Sequence, residues 1–155
     1  MATEYAANFT KYNQNDPREV VDVGVHGGRV RLMYDTYTAA ALAAGSTISV
    51  GKMPKGALVW DAVIMGVDAL GSGHTISMGD AADVDRLIGA TLFNTAGKVV
   101  GMLPRPTGTA NAASTAGIVA GFGYEYTTTT DIILTTAGTA AITGVIRTAI
   151  WYTVD

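Results

Sequence analysis

Residues 28–37 read Gly28-Arg29-Val30-Arg31-Leu32-Met33-Tyr34-Asp35-Thr36-Tyr37. Val30, Leu32, Tyr34 and Thr36 alternate with Arg29, Arg31, Met33 and Asp35, the period of two that marks a half-buried β-strand with one charged face. Gly27-Gly28 ahead of it is a turn signal. The same period returns in residues 144–154, where Val145, Arg147, Ala149, Trp151 and Thr153 oppose Ile146, Thr148, Ile150, Tyr152 and Val154. A strand so well patterned is expected to pair inside a sheet.

Between these two stretches the chain punctuates itself. Residues 47–50, 74–78, 98–103, 122–127 and 131–136 read as short strands. Residues 57–67 (ALVWDAVIMGV) are apolar on both faces apart from Asp61, which predicts a central strand pair or one long bent core strand. Residues 38–44 are Ala-rich and read as a helical turn or a strand-edge loop, and residues 86–92 as a strand or a helical turn. Leu70-Gly71-Ser72-Gly73 predicts a tight hairpin turn, and residues 104–115 a long Pro/Gly/Thr/Ala loop. The expected fold is therefore an all-β sandwich, a jelly roll of about eight strands, with an immunoglobulin-like sandwich of about seven as the alternative. The sandwich domain is expected over residues 29–155, preceded by an extended N-terminal arm over residues 1–28.

Composition supports this class. The chain has 155 residues, 48% hydrophobic and 15% charged, with 19 glycines and no cysteine. That is too apolar for disorder, and the length is enough to bury roughly 70% of the unfolded surface in one core. The formal net charge of −3 and the scattering of ten Lys and Arg residues leave no basic stripe to neutralise phosphates, so no nucleic-acid partner is expected. The longest apolar runs are broken well short of a membrane span, and the first residues carry neither a basic n-region nor an apolar h-region, so neither a membrane partner nor a signal peptide is expected. Absence of cysteine removes disulfides, thiolate nucleophiles, zinc ribbons and iron–sulfur ligation.

The polar segment from Met1 to Arg18 carries three aromatics, Tyr5, Phe9 and Tyr12, at i, i+4 and i+7. Two readings stand: a frayed terminus whose rings fold onto their own domain, or an arm that docks these rings on a neighbour as partner-binding anchors. Pro17 disfavours helix at Asp16 and marks a boundary.

Chemistry is scarce. His26 and His74 each stand alone without zinc-ligand spacing, and Gly71-Ser72-Gly73-His74 lacks the nucleophile-elbow pattern. The glycine clusters at 24–28 and 117–123 match no phosphate-binding fingerprint. Asp80, Asp83 and Asp85 offer oxygen ligands to calcium, but not in the known loop spacing. Asx-turns that cap the following segment, with Arg86 as ion-pair partner, are the simpler use. No catalytic residue, metal site or cofactor is expected, and no enzyme.

Residues 28–37, then Gly45-Ser46-Thr47-Ile48, Met53-Pro54-Lys55-Gly56-Ala57, and Met78-Gly79-Asp80 through Asp85-Arg86 resemble small structural proteins of tailed bacteriophages. Such proteins are encoded beside capsid genes, and some act as decoration or cement proteins. The resemblance spans roughly residues 28–92, with a looser echo in the Thr-rich C-terminal third. It implies a virion protein, assembled in the host cytoplasm, that binds the major capsid protein on the outer shell and stabilises contacts between capsomers. It also implies a homotrimer at local threefold positions. A tail or neck component, and a lectin-like glycan-binding module, are the alternatives. The lectin reading needs Trp60 or Trp151 exposed at a loop mouth, whereas their strand positions predict both buried or half-buried.

Overall fold

A computed structural model describes residues 28–103, 111–113 and 120–154. The described residues form ten strands: β1 (Arg31–Leu42), β2 (Thr47–Met53), β3 (Ala57–Gly66), β4 (His74–Gly79), β5 (Ile88–Thr91), β6 (Lys98–Gly101), β7 (Asn111–Ala113), β8 (Glu125–Tyr126), β9 (Thr130–Gly138) and β10 (Ile142–Val154). They make two facing sheets. The larger has the order β1-β10-β3-β6-β7, with β8 also on β3; the smaller has the order β2-β9-β4-β5. Every pairing is antiparallel except β6 with β7, which is parallel. The all-β sandwich expected from the alternation is the fold found.

The core lies between the sheets. Ile146 and Ile150 of β10 and Val59, Ala62 and Ile64 of β3 face Ile132 and Leu134 of β9, Ile76 and Met78 of β4, and Ile48, Val50 and Met53 of β2 in one buried cluster. Two bulges explain why strict alternation misreads these strands. Opposite β10 the register jumps from Asp61 to Val59, so Trp60 is the extra residue of β3 and the inward phase passes from Val59 to Ala62. Within the expected 57–67 stretch, Ala57–Gly66 forms one bent strand, one of the two forms expected, and it looks apolar on both faces because the inward face changes parity midway. In β2 the jump between Ser49 and Gly51 moves the inward phase from Val50 to Met53 in the same way.

Four expectations change. Leu70-Gly71-Ser72-Gly73 is no hairpin: β3 and β4 belong to different sheets, and the segment is a corner between them. Buried Leu70 anchors it, with its amide bonded to Phe93 O at 2.9 Å and Gly73 O accepting the Thr139 amide at 2.9 Å. Residues 38–42 continue β1 rather than forming a helical turn or loop. Ala41 takes a left-handed φ of 56° at a break in register there, held by its amide donating to Thr143 Oγ1 at 3.1 Å. Within the expected 104–115 loop, Asn111–Ala113 forms β7 beside β6.

The fourth change concerns β1. Its apolar set, expected on the half-buried face, is the exposed one: Val30, Leu32 and Tyr34 are 57–59% exposed. Met33, Tyr37 and Ala39 point inward instead, and the Met33 thioether lies where a Cβ on Gly51 of β2 would sit. The reason is position. The side chains of Val30, Leu32 and Tyr34 lie on the face of the larger sheet turned away from the smaller one, and because β1 ends that sheet only β10 flanks them among the described strands.

Candidate functional site

The outer face of the larger sheet is built by register. Tyr34 lies across from Ala149 and Ala149 across from Val63; Thr36 faces Arg147 and Arg147 faces Met65; Leu32 faces Trp151 and Trp151 faces Asp61. Cross-strand neighbours on one face touch, so these rows make a mostly apolar surface over three strands. A shallow cavity of about 240 Å³ opens between Tyr34, Val63, Met65, Arg147, Thr148 and Ala149. Exposed apolar surface gathered on one sheet face is the kind of surface on which another molecule can dock.

A second feature is the loop between β4 and β5. Asp80 is 2% exposed. Its Oδ1 accepts the amides of Ala82 at 2.9 Å and Asp83 at 3.0 Å, the Asx-turn expected from the sequence, and its Oδ2 accepts Arg86 Nε at 2.7 Å. The Arg86 guanidinium then sits over the Tyr124 ring, 4.1 Å from its centroid, with Asp83 at 3.8 Å. Burial alone pushes the Asp80 carboxyl up, but the Arg86 hydrogen bond, the two amides and the Arg86 charge outweigh it and hold the group below the ordinary carboxylate range. Hydrogen bonding and charge from Asp83, with some burial, push the Asp85 carboxyl up. Gly79 is required here, because a Cβ on it would fall on the Asp83 carbonyl oxygen. Beside the loop, a cavity of about 230 Å³ is lined by Asp80, Arg86, Tyr124, Tyr126 and the threonines Thr127, Thr128 and Thr130. Burial, then the nearby Asp80 charge, pushes the Tyr126 phenol up. The arrangement is a locked, charge-compensated turn. The sequence pointed to Asp80 and Arg86 because they are local; Tyr124 and Tyr126 arrive from a distant part of the chain, and nothing near the loop announces them.

The remaining candidates are dispersed. His74 opens β4 and is 2% exposed, with neither ring nitrogen hydrogen-bonded among the described residues; burial lowers its pKa. Trp60 and Trp151 are half-buried, as expected. The Trp60 indole donates to Thr153 Oγ1 at 3.0 Å and meets Phe122 edge to face at 5.8 Å. Tyr5, Phe9, Tyr12 and His26 lie outside the described residues.

No protein-family model matches this chain, and no curated protein does. Among solved structures, the sandwich is the fold of chains in bacteriophage capsids. One, in the cyanophage Pam1 capsid asymmetric unit, superposes with a TM-score of 0.64 at 20% identity, over 92% of this chain and 99% of that one. A chain in the capsid of Ralstonia phage GP4 gives 0.55 at 22% identity, over 83% and 86%. A chain in the acid-stable capsid of Helicobacter pylori bacteriophage KHP30 gives 0.51 at 11% identity, over 81% and 87%. At these identities what is shared is the fold, and function has to be argued separately.

Proposed function

We propose that this protein is a structural component of a bacteriophage virion: a decoration protein that sits on the outer shell and stabilises contacts between capsomers by binding the major capsid protein. The observation that carries the reading is the near end-to-end likeness to a chain of a capsid asymmetric unit, 92% of this chain against 99% of that one. A fold matched over its whole length supports a whole-protein role rather than a shared module. The apolar outer face of the larger sheet supports it too, because a shell-binding protein needs surface to bury. The role is structural rather than enzymatic, and Tyr5, Phe9 and Tyr12 serve in it as docking anchors on the shell. Copies clustered as trimers at threefold positions add their modest contacts through multivalency.

The test is co-sedimentation of the purified full-length protein with phage heads that lack it and, separately, with isolated tails. Saturable binding to heads, with heads becoming more resistant to heating, is the expected result. Binding to tails alone would assign the protein to the tail or neck. Binding to neither would remove the virion-surface role.

A further inference from the structure

We propose that the free edge of β1 pairs with the β1 edge of a second copy of this chain, antiparallel about a two-fold axis at Met33. The two larger sheets then run on as one. This goes beyond the shell-binding role and does not depend on it.

Three observations lead there. Among the described residues β1 pairs on one side only, with β10, and a long unpaired edge is a template for another strand. An antiparallel strand gives its alternate residues to each neighbour. The Thr36 amide donates to its own neighbour, Asp35 Oδ1, at 2.7 Å, which places Leu32, Tyr34 and Thr36 as the residues whose backbone groups face away from β10. Those same residues carry exposed side chains, with Leu32 at 57% and Tyr34 at 59%.

The third observation is charge order. Arg31 and Asp35 lie on one face of β1, both exposed, on either side of Met33. With the axis at Met33, Arg31 of each copy stands opposite Asp35 of the other, so one register makes two ion pairs. The same register sets Leu32 across from Tyr34 twice, an aliphatic–aromatic cross-strand pair. It also brings together residues whose free N–H and C=O groups point at each other. A slip of two residues toward the C-terminus removes both ion pairs, leaving Arg31 opposite Tyr37. A slip toward the N-terminus sets Asp35 against Arg29, which precedes the strand, so the strand would have to lengthen before the pair could form. A two-fold contact of this kind leaves the other surfaces of each copy open for clustering on a shell.

The experiment is sedimentation equilibrium of the full-length protein from micromolar to near-millimolar concentration at low salt. Wild type should show a reversible monomer–dimer equilibrium. R31D and D35R should each weaken it by at least about tenfold, because each puts like charges opposite one another twice. The double variant R31D/D35R restores the pairs in reverse order and should return the constant to within about threefold of wild type. R29D carries the same charge change as R31D and should leave the dimer nearly intact. Circular dichroism melts of all four variants check that each is folded. A monomer at every concentration would overturn the proposal, as would a dimer equally weakened by R29D and R31D, or one that the double variant fails to rescue.

Discussion

Removing the Asp80 carboxylate should cost more than any ordinary surface change. In Asp80→Ala, the loop between β4 and β5 loses two amide acceptor bonds, at 2.9 and 3.0 Å, and one charge-assisted bond at 2.7 Å. A hydrogen bond to a charged group is worth about 1.5–3 kcal/mol, and loss of a side-chain cap about 1. Arg86 would remain with its side chain only 14% exposed and without its main partner, and breaking a buried pair on one side costs about 3–5 kcal/mol. The expected loss is therefore about 3–5 kcal/mol, a large part of the roughly 5–15 kcal/mol that a domain has. Asp80→Asn keeps an oxygen for the Ala82 and Asp83 amides and loses the charge, so about 1–3 kcal/mol is expected. Urea unfolding at pH 7, followed by tryptophan fluorescence, measures both. The pH dependence has a fixed sign. A carboxyl held below its ordinary value of 3.8 stabilises the fold above that pH, and the contribution is lost as pH falls through the folded value. Wild type should lose stability below about pH 4 more steeply than Asp80→Asn. Losses under about 1 kcal/mol for both variants would show that this carboxylate does not hold the loop, and the reasoning would fail.

His74 acts in the same sense, in a higher pH window. Burial lowers its pKa below 6.5, so the unfolded chain binds the proton first, and the stability present above pH 6.5 drains away as pH falls toward the folded value. His74→Leu should flatten the stability profile between about pH 7.5 and 5 in urea titrations; an unchanged slope would count against a neutral buried imidazole. Gly79→Ala drives a methyl into the Asp83 carbonyl and should lower stability by about 2 kcal/mol or more, because backbone at special positions has no cheap way to yield. A thermal melt within a degree or two of wild type would refute that.

What the sequence made legible was local. The strands of residues 131–136 and 144–154 keep one parity along most of their length, and their inward residues Ile132, Leu134, Ile146 and Ile150 are the buried ones. The Asp80 turn was legible for the same reason, since donor, acceptor and ion-pair partner all lie within a few residues. Pairing was not legible. β1 joins β10, β2 joins β9 and β3 joins β10, while β1 to β4, successive in the chain, alternate between the two sheets. A turn signal such as Leu70–Gly73 says that the chain reverses, not that the two flanking strands stay in one sheet. Bulges hide the rest: at Trp60 and Gly51 the inward face changes parity, so a pattern read in strict twos assigns half of each strand to the wrong side.

The misread face of β1 has a different cause. Alternation reports that one side of a strand is apolar, and burial by the same chain is only the commonest way to satisfy that side. In β10, which has strands on both edges and the smaller sheet beneath it, the two coincide. In β1 they do not. Met33 and Tyr37 already fill the inward side against the smaller sheet, and the outer side of an edge strand, flanked only by β10, leaves Val30, Leu32 and Tyr34 in water. Residues of that type, left so exposed on an edge strand that also carries charges of both signs, are badly placed for a protein that works alone and well placed for one that works in an assembly. The residue pattern that misled the burial assignment is thus the same pattern on which the proposed edge-to-edge contact rests.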